Sequence, residues 1–186
     1  MNPARPVADM TEGGQRVYKV FFSELRRLGY VEGENLVVER RSGDYAITVR
    51  GGRSTEELVE AGEYGYAHSC VTSENFPVRD FGPNRVREIV LLEFDHDVTS
   101  EEALTEAGRL GLERPVYEDA LYFGIAYPGV QRERPIVFLH DPWFGFFGRR
   151  DVLCLWTNAG RRELGLEGFD DAWRQTYRFA FLRRPP

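Results

Sequence analysis

Apolar residues near the start of the chain fall at Val17, Val20, Phe21, Leu25 and Leu28, so that each has another three or four positions away. That spacing predicts an amphipathic helix over Gln15–Leu28, stopped by Gly29. Leu36-Val37-Val38 then reads as a short strand with charges at both ends. Tyr45, Ile47 and Val49 alternate with Ala46, Thr48 and Arg50, as in a half-buried strand. Ser54 followed by Glu57 forms a capping box for a helix ending near Gly62. Glu63 to Asn84 is aromatic and polar with no period, and reads as a long loop. Val86–Phe94, with its run Ile89-Val90-Leu91-Leu92, is the strongest strand. Thr99 and Ser100 open a further helix whose inner face carries Ala103, Leu104, Ala107 and Leu110.

Pro115 at a helix start and the run Tyr117–Tyr127 predict a third helix on this stretch, ended by Pro128-Gly129. Beyond it the pattern turns to strands at Pro135–His140, Asp151–Thr157 and Trp173–Arg183. Asn158-Ala159-Gly160 reads as a hairpin turn. In the last strand Tyr177, Phe179 and Phe181 share one face. The stretch from Ser54 to Gly62 echoes that from Thr99 to Gly108, as a duplicated unit or as two similar helix caps. The fold class expected is α+β: a single domain with a mostly antiparallel sheet and three to four helices packed on one face. Residues 1–14 read as a flexible tail and 15–186 as the domain, with 15–43 readable as an added helix–strand unit.

Composition narrows the classes. A chain of 186 residues with 42% hydrophobic and 13% aromatic content suits one buried core. A net charge of −6 disfavours a dedicated nucleic-acid binder, whose affinity rests on phosphate neutralisation. Lys19 is the only lysine, so nearly all positive charge is arginine, and the arginine pairs are scattered among acids. No apolar run reads as a secretory signal or a membrane span, so a cytoplasmic protein without membrane insertion is expected. Two cysteines, Cys70 and Cys154, are too few for a disulfide framework or a cysteine-rich zinc site.

Two resemblances arise. The block Val20–Arg41, with its core Leu28-Gly29-Tyr30-Val31-Glu32-Gly33-Glu34-Asn35, resembles the first helix and next strand of ABC-transporter substrate-binding proteins. Members of that family have two Rossmann-like lobes, and the block would join the first lobe's helix to its next strand; the match covers roughly twenty-five residues, with no apolar first strand before it. Residues 45–184 resemble a group of uncharacterised bacterial proteins. The likeness lies in Val71-Thr72-Ser73-Glu74-Asn75-Phe76-Pro77, in Phe94-Asp95-His96-Asp97-Val98-Thr99-Ser100-Glu101-Glu102 and in Tyr127-Pro128-Gly129-Val130-Gln131-Arg132-Glu133-Arg134-Pro135-Ile136-Val137. It implies no activity, cofactor or catalytic residue.

Three constellations carry candidate chemistry. Asp95-His96-Asp97 sets three ligand-type side chains past a strand end, although alternation turns His96 away from the two carboxylates. His140-Asp141 ends another strand and has the composition of an oriented general base; His68 beside Cys70 is a second such pair. Each has a plain structural counterpart: a solvated turn, a core histidine, a small buried thiol. Trp143-Phe144-Gly145-Phe146-Phe147-Gly148-Arg149-Arg150 is the third, four aromatics and an arginine pair between two strands. Adjacent aromatics on a strand cannot all face inward, so at least two should be exposed, with Arg149 and Arg150 as a polar rim.

The sequence therefore favours a non-catalytic binding or interaction module with Trp143, Phe144, Phe146, Phe147, Arg149 and Arg150 as contact residues. Its partner would be a protein or small molecule, with self-association one form of this. No metal or cofactor is expected, because the three histidines follow no known ligand spacing. The first alternative is a hydrolase using Asp95, His96 and His140. The second is a fragment of an ABC-transporter solute-binding protein.

Overall fold

The computed structural model describes residues 45–79 and 84–184. The helix expected over Gln15–Leu28, the strand at Leu36–Val38, and the tail lie outside these residues. Among the described residues there are eight strands: β1 (Tyr45–Val49), β2 (Tyr66–Ala67), β3 (Arg85–Glu93), β4 (Leu112–Glu113), β5 (Ile136–Phe144), β6 (Arg150–Asn158), β7 (Arg161–Gly168) and β8 (Arg178–Arg183). With them stand the helices α1 (Thr55–Ala61), α2 (Ser100–Arg109) and α3 (Tyr117–Ala126).

The strands form one mixed sheet in the order β1-β3-β8-β5-β6-β7-β2, with β4 paired to β8. β8 runs parallel to β5, and β2 parallel to β7; the other pairings are antiparallel. β2 lies inside the segment expected to be a loop. Two residues are too short to show a period, and only the register Tyr66↔Glu163 and Ala67↔Leu164 reveals them.

The helices do not share one face, as the sequence reading expected. Ile89-Val90-Leu91-Leu92, Ile136-Val137-Phe138-Leu139 and Val152-Leu153-Cys154-Leu155 are apolar at consecutive positions, so each strand offers apolar side chains to both sides. One face carries Ile89, Leu91, Ile136, Phe138, Leu153 and Leu155, covered by Leu58 of α1 and by Ala120, Leu121 and Phe123 of α3. The other carries Val90, Leu92, Val137, Leu139, Val152 and Cys154, covered by Ala103 and Ala107 of α2 and by Phe169 and Trp173. The fold is α+β with a two-sided core. The echoing stretches Ser54–Gly62 and Thr99–Gly108 thus send their helices to opposite faces.

Both capping boxes form. The Ser54 hydroxyl accepts from the Glu57 amide at 3.1 Å, and the Ser54 amide donates to the Glu57 carboxylate at 2.7 Å. The Thr99 hydroxyl accepts from the Glu102 amide at 3.2 Å, and the Glu102 carboxylate accepts from the Thr99 amide at 2.8 Å. Thr99→Ala should cost about 1 kcal/mol in urea unfolding, the usual loss for a deleted cap. Leu110, expected on the inner face of α2, is instead the C-cap residue and is exposed.

The final strand is shorter than the pattern predicts. It begins at Arg178, while Trp173 forms an isolated bridge with Val98 and donates its indole N–H to the Ser100 hydroxyl at 2.8 Å. Between β6 and β7 the register Asn158↔Arg161 leaves Ala159 and Gly160 as a two-residue turn. Their φ angles of 48° and 80° are the paired positive values of a tight hairpin turn.

Helix α3 approaches Tyr64 closely. A Cβ at Gly124 would overlap the Tyr64 hydroxyl, and one at Gly62 would overlap its ring. Gly124→Ala should therefore cost about 1–3 kcal/mol, the range for overpacking a filled core, read as a lowered thermal midpoint.

Candidate functional site

Among the described strand pairs the register shifts in the β5–β6 hairpin, and two of the three sequence constellations meet there. Phe138 pairs with Leu153, but the next pairing is Trp143 with Asp151. Four residues of β5 thus oppose the single residue Val152, a large bulge that leaves backbone groups without ladder partners.

His140 and Arg114 satisfy those groups. The His140 ring is 1% exposed. Its Nε2 lies 3.0 Å from the Leu153 amide, which can only donate, so Nε2 is the acceptor and Nδ1 carries the proton. Nδ1–H then donates to the Asp141 carbonyl oxygen at 2.7 Å. Burial pushes the imidazole pKa down to about 4, so the ring is neutral at ordinary pH. The rings of Phe76 and Tyr117 meet it edge-on. From the other side Arg114 donates to the carbonyls of Leu139 and His140 at 2.6 and 2.9 Å and stacks over Phe169. Its third nitrogen pairs with the exposed Asp141 carboxylate at 2.9 Å.

The His140 ring therefore bonds the backbone of Asp141, while the Asp141 carboxylate pairs with Arg114. Both ring nitrogens are engaged. His140 does not meet His96. The registers Glu93↔Arg178 and Ile136↔Arg178 put His96 at one end of the sheet, while His140 lies toward the other. They also pack against opposite core clusters, His96 beside Phe94 and His140 beside Phe76. Asp95 bonds the adjacent His96 ring at 2.7 Å, and Asp97 accepts from the Gln175 amide at 2.9 Å, holding the segment after Trp173. The His68 Nδ1 accepts from the Cys70 amide at 3.2 Å. Cys154 is buried, and burial raises its thiol pKa well above the usual value, so it stays protonated. Among the described residues no group of three His, Cys, Asp or Glu side chains is placed to hold a metal.

Beyond the bulge the hairpin ends in an aromatic tip. Phe144 is 68% exposed and Phe147 fully exposed. Trp143 is half-buried, with its ring 5.8 Å from that of Phe76. Phe146 belongs to the 3-10 turn Phe146–Gly148, and its side chain lies outside the described residues. Phe147 and Gly148 have φ angles of 63° and 75°. The left-handed region is natural for glycine and costly for phenylalanine. A Cβ at Gly145 would sit 2.9 Å from the Trp143 ring and from the Asp151 carboxylate, so this glycine is needed for the close turn.

The arginine pair is committed within the molecule instead of forming a free rim. Arg149 pairs with Asp151 at 2.8 Å. Arg150 donates to Asp170 at 3.0 Å and lies over the Phe169 ring at 4.7 Å. Both brace the base of the tip.

Two further charged clusters went unread in the sequence. In the first turn of α3, Asp119 accepts from Arg87 at 3.0 Å and from the Val116 amide at 2.8 Å, and burial pushes its carboxyl up to about 6. Its neighbour Glu118 accepts from the Arg79 amide, Nε and Nη2 at 3.1, 3.0 and 3.3 Å. Acids at a helix start look like ordinary dipole partners, and nothing in their spacing marks them as buried.

No helix among the described residues is long and apolar enough to cross a membrane. Comparison with protein-family models, with characterised proteins and with solved structures finds no match to this chain, so its functional reading rests on its own residues.

Proposed function

We propose that this protein is a non-catalytic interaction module and that the tip of the β5–β6 hairpin is its contact surface. One observation carries the reading: Phe147 is fully exposed on a left-handed backbone, beside the exposed Phe144. A bulky residue in that conformation costs about 1–2 kcal/mol, and its ring gains nothing from the core in return. Strain of this kind concentrates where a surface has a task. The bulge beneath it is pinned by His140 and Arg114, so the tip is presented on a rigid base.

A photo-crosslinking residue at Phe147, with Ala159 at the other end of the sheet as control, tests the reading in cells that make the protein. A discrete adduct from position 147 and none from 159 supports it. No adduct at 147, or equal adducts at both, sinks it. Phe147→Gly should also raise stability by about 1 kcal/mol, because glycine adopts the left-handed region without penalty. Urea unfolding checks this; a loss of stability would mean the ring is held by the fold.

A further inference from the structure

β8 stops short of β3. Their ladder ends at Leu182↔Ile89, so the first residues of β3, Arg85 to Glu88, run on past it, paired on their other side to β1. A groove of about 360 Å³ lies along this overhang, within the ~300–1,000 Å³ usual for binding pockets. Arg85, Val86, Arg87 and Glu88 line one wall, and the end of β8 from Leu182 to Arg184 closes it. Side chains on one face of a strand alternate, so four consecutive lining residues mean that the groove follows the strand's edge.

The ladders fix which main-chain groups face it. Arg178 donates its N–H to the Pro135 carbonyl at 2.9 Å, so the even-numbered residues of β8 bond toward β5 and the odd-numbered ones toward β3. By the register Leu92↔Phe179 and Val90↔Phe181, the even-numbered residues of β3 bond toward β8. Val86 therefore directs its N–H and C=O into the groove. A continued register would face it with position 185, which is a proline and has no N–H to give. The Val86 side chain is itself 66% exposed.

The charge of the groove reduces to one group. Arg87 pairs with Asp119 at 2.9 Å, Arg183 with Glu88 at 3.3 Å and Arg184 with Glu113 at 3.1 Å. Arg85 is exposed and has no such partner among the described residues.

We infer that this groove binds the carboxyl-terminal residues of another polypeptide. The peptide adds to β3 as a short antiparallel strand in line with β8. Its main chain takes up the N–H and C=O of Val86, an apolar side chain lies against Val86 and Leu182, and its terminal carboxylate reaches Arg85. The direction follows from the geometry: a strand antiparallel to β3 runs toward Arg85, so its last residue is the one that arrives there. Main-chain bonds supply the affinity of such strand addition, and the charge-assisted contact at the end group selects for a free carboxylate. Groove and hairpin tip share no residue, so this site stands whether or not the tip is a contact surface.

The isotopically labelled full chain is titrated, with NMR detection, with an acetylated tripeptide of valine, threonine and valine bearing a free carboxylate. The same tripeptide as its carboxamide, and acetate alone, are titrated beside it. The acid should give saturable shifts centred on the Val86 and Glu88 amides at millimolar peptide. The carboxamide should bind at least about tenfold more weakly, the factor for 1.4 kcal/mol. Arg85→Gln should bring the acid down to the carboxamide's affinity and leave the carboxamide unchanged. Val86→Pro removes an N–H that lies outside the β1 ladder and should weaken both; a thermal midpoint near wild type shows that it folds, and if it does not, Arg85→Gln decides. The inference is overturned if the acid gives no saturable shift, if acid and carboxamide bind equally, or if Arg85→Gln leaves the acid's affinity unchanged. Acetate that shifts the same amides with the tripeptide's affinity overturns it as well, since the groove would then be a bare anion site.

Discussion

Arg162→Met is expected to lower stability by about 3–5 kcal/mol, through buried acceptors left without donors. Arg162 projects from β7 into the gap between α1 and α3, where it is nearly fully buried. Its Nη1 donates to the Gly62 carbonyl and its Nη2 to the Gly124 carbonyl, each at 2.6 Å; its Nε donates to the Gln131 side-chain oxygen at 3.2 Å. The two carbonyls belong to the last turns of two helices. In a continued helix Gly124 would accept from residue 128, but that residue is Pro128, which has no N–H. Neither α1 nor α3 has a basic residue of its own in its last turn. One guanidinium from a distant strand therefore supplies the missing donor and the positive charge at both C-termini. The Tyr64 ring lies 4.8 Å beneath it, wedged against Gly62 and Gly124. Arg162→Lys, with one compact head group, should recover only part of the loss, since it cannot span both carbonyls. Chemical denaturation of the three proteins measures this; a Met variant within about 0.5 kcal/mol of wild type, the scatter of surface substitutions, would refute the double-cap account.

The second large effect is at His140. His140→Ala should cost about 3 kcal/mol or more, combining a core cavity with an unsatisfied Leu153 amide. The same residue sets an acid limit. Its folded pKa of about 4 lies below the usual 6.5, so the unfolded chain binds this proton more readily than the native one. The stability it supports is fully present above about pH 6.5 and is lost as pH falls toward about 4, by roughly 3 kcal/mol in total. Asp119, raised to about 6, acts the other way, favouring the native state as pH falls from about 6 toward its ordinary value. The clean measurement is the difference between wild type and His140→Gln, whose amide offers a donor and an acceptor but does not titrate. That difference should shrink as pH drops from about 6.5 to 4. A constant difference would mean that the ring is protonated in the native state.

Most of the elements were legible because their signals are local. Both capping boxes, the alternation of β1 and the turn at Ala159-Gly160 follow from residues within four positions of one another. The two-sided core is also present in the consecutive apolar runs of β3, β5 and β6, since such runs demand cover on both faces. What stayed hidden depends on partners far apart in sequence. β2 exists through β7, nearly a hundred residues on, and Arg162 is defined by carbonyls at Gly62 and Gly124. The candidate site divides in the same way. Exposure of Phe144 and Phe147 follows from alternation and the flanking glycines. That His140 is a backbone tack follows only from the bulge, because a His–Asp pair at a strand end has the same sequence in either role. Arg149 and Arg150 look like a rim in sequence because their acids, Asp151 aside, are distant: Asp170 and Asp171 come some twenty residues later and Glu101 about fifty earlier.

The position of β8 has a consequence for how the chain is made. It is the last described strand, yet it lies between β3 and β5 and is the strand that joins β1–β3 to β5–β6–β7–β2. Until Arg178–Arg183 leaves the ribosome the two halves have no ladder between them, and Ile89, Leu92, Ile136 and Phe138 have no strand to close over them. The nascent protein must carry two apolar half-sheets until that strand emerges, and join them in one long-range step. A chain stopped just before Arg178 would keep both hairpins and all three described helices, and would be a substrate for chaperones and proteases.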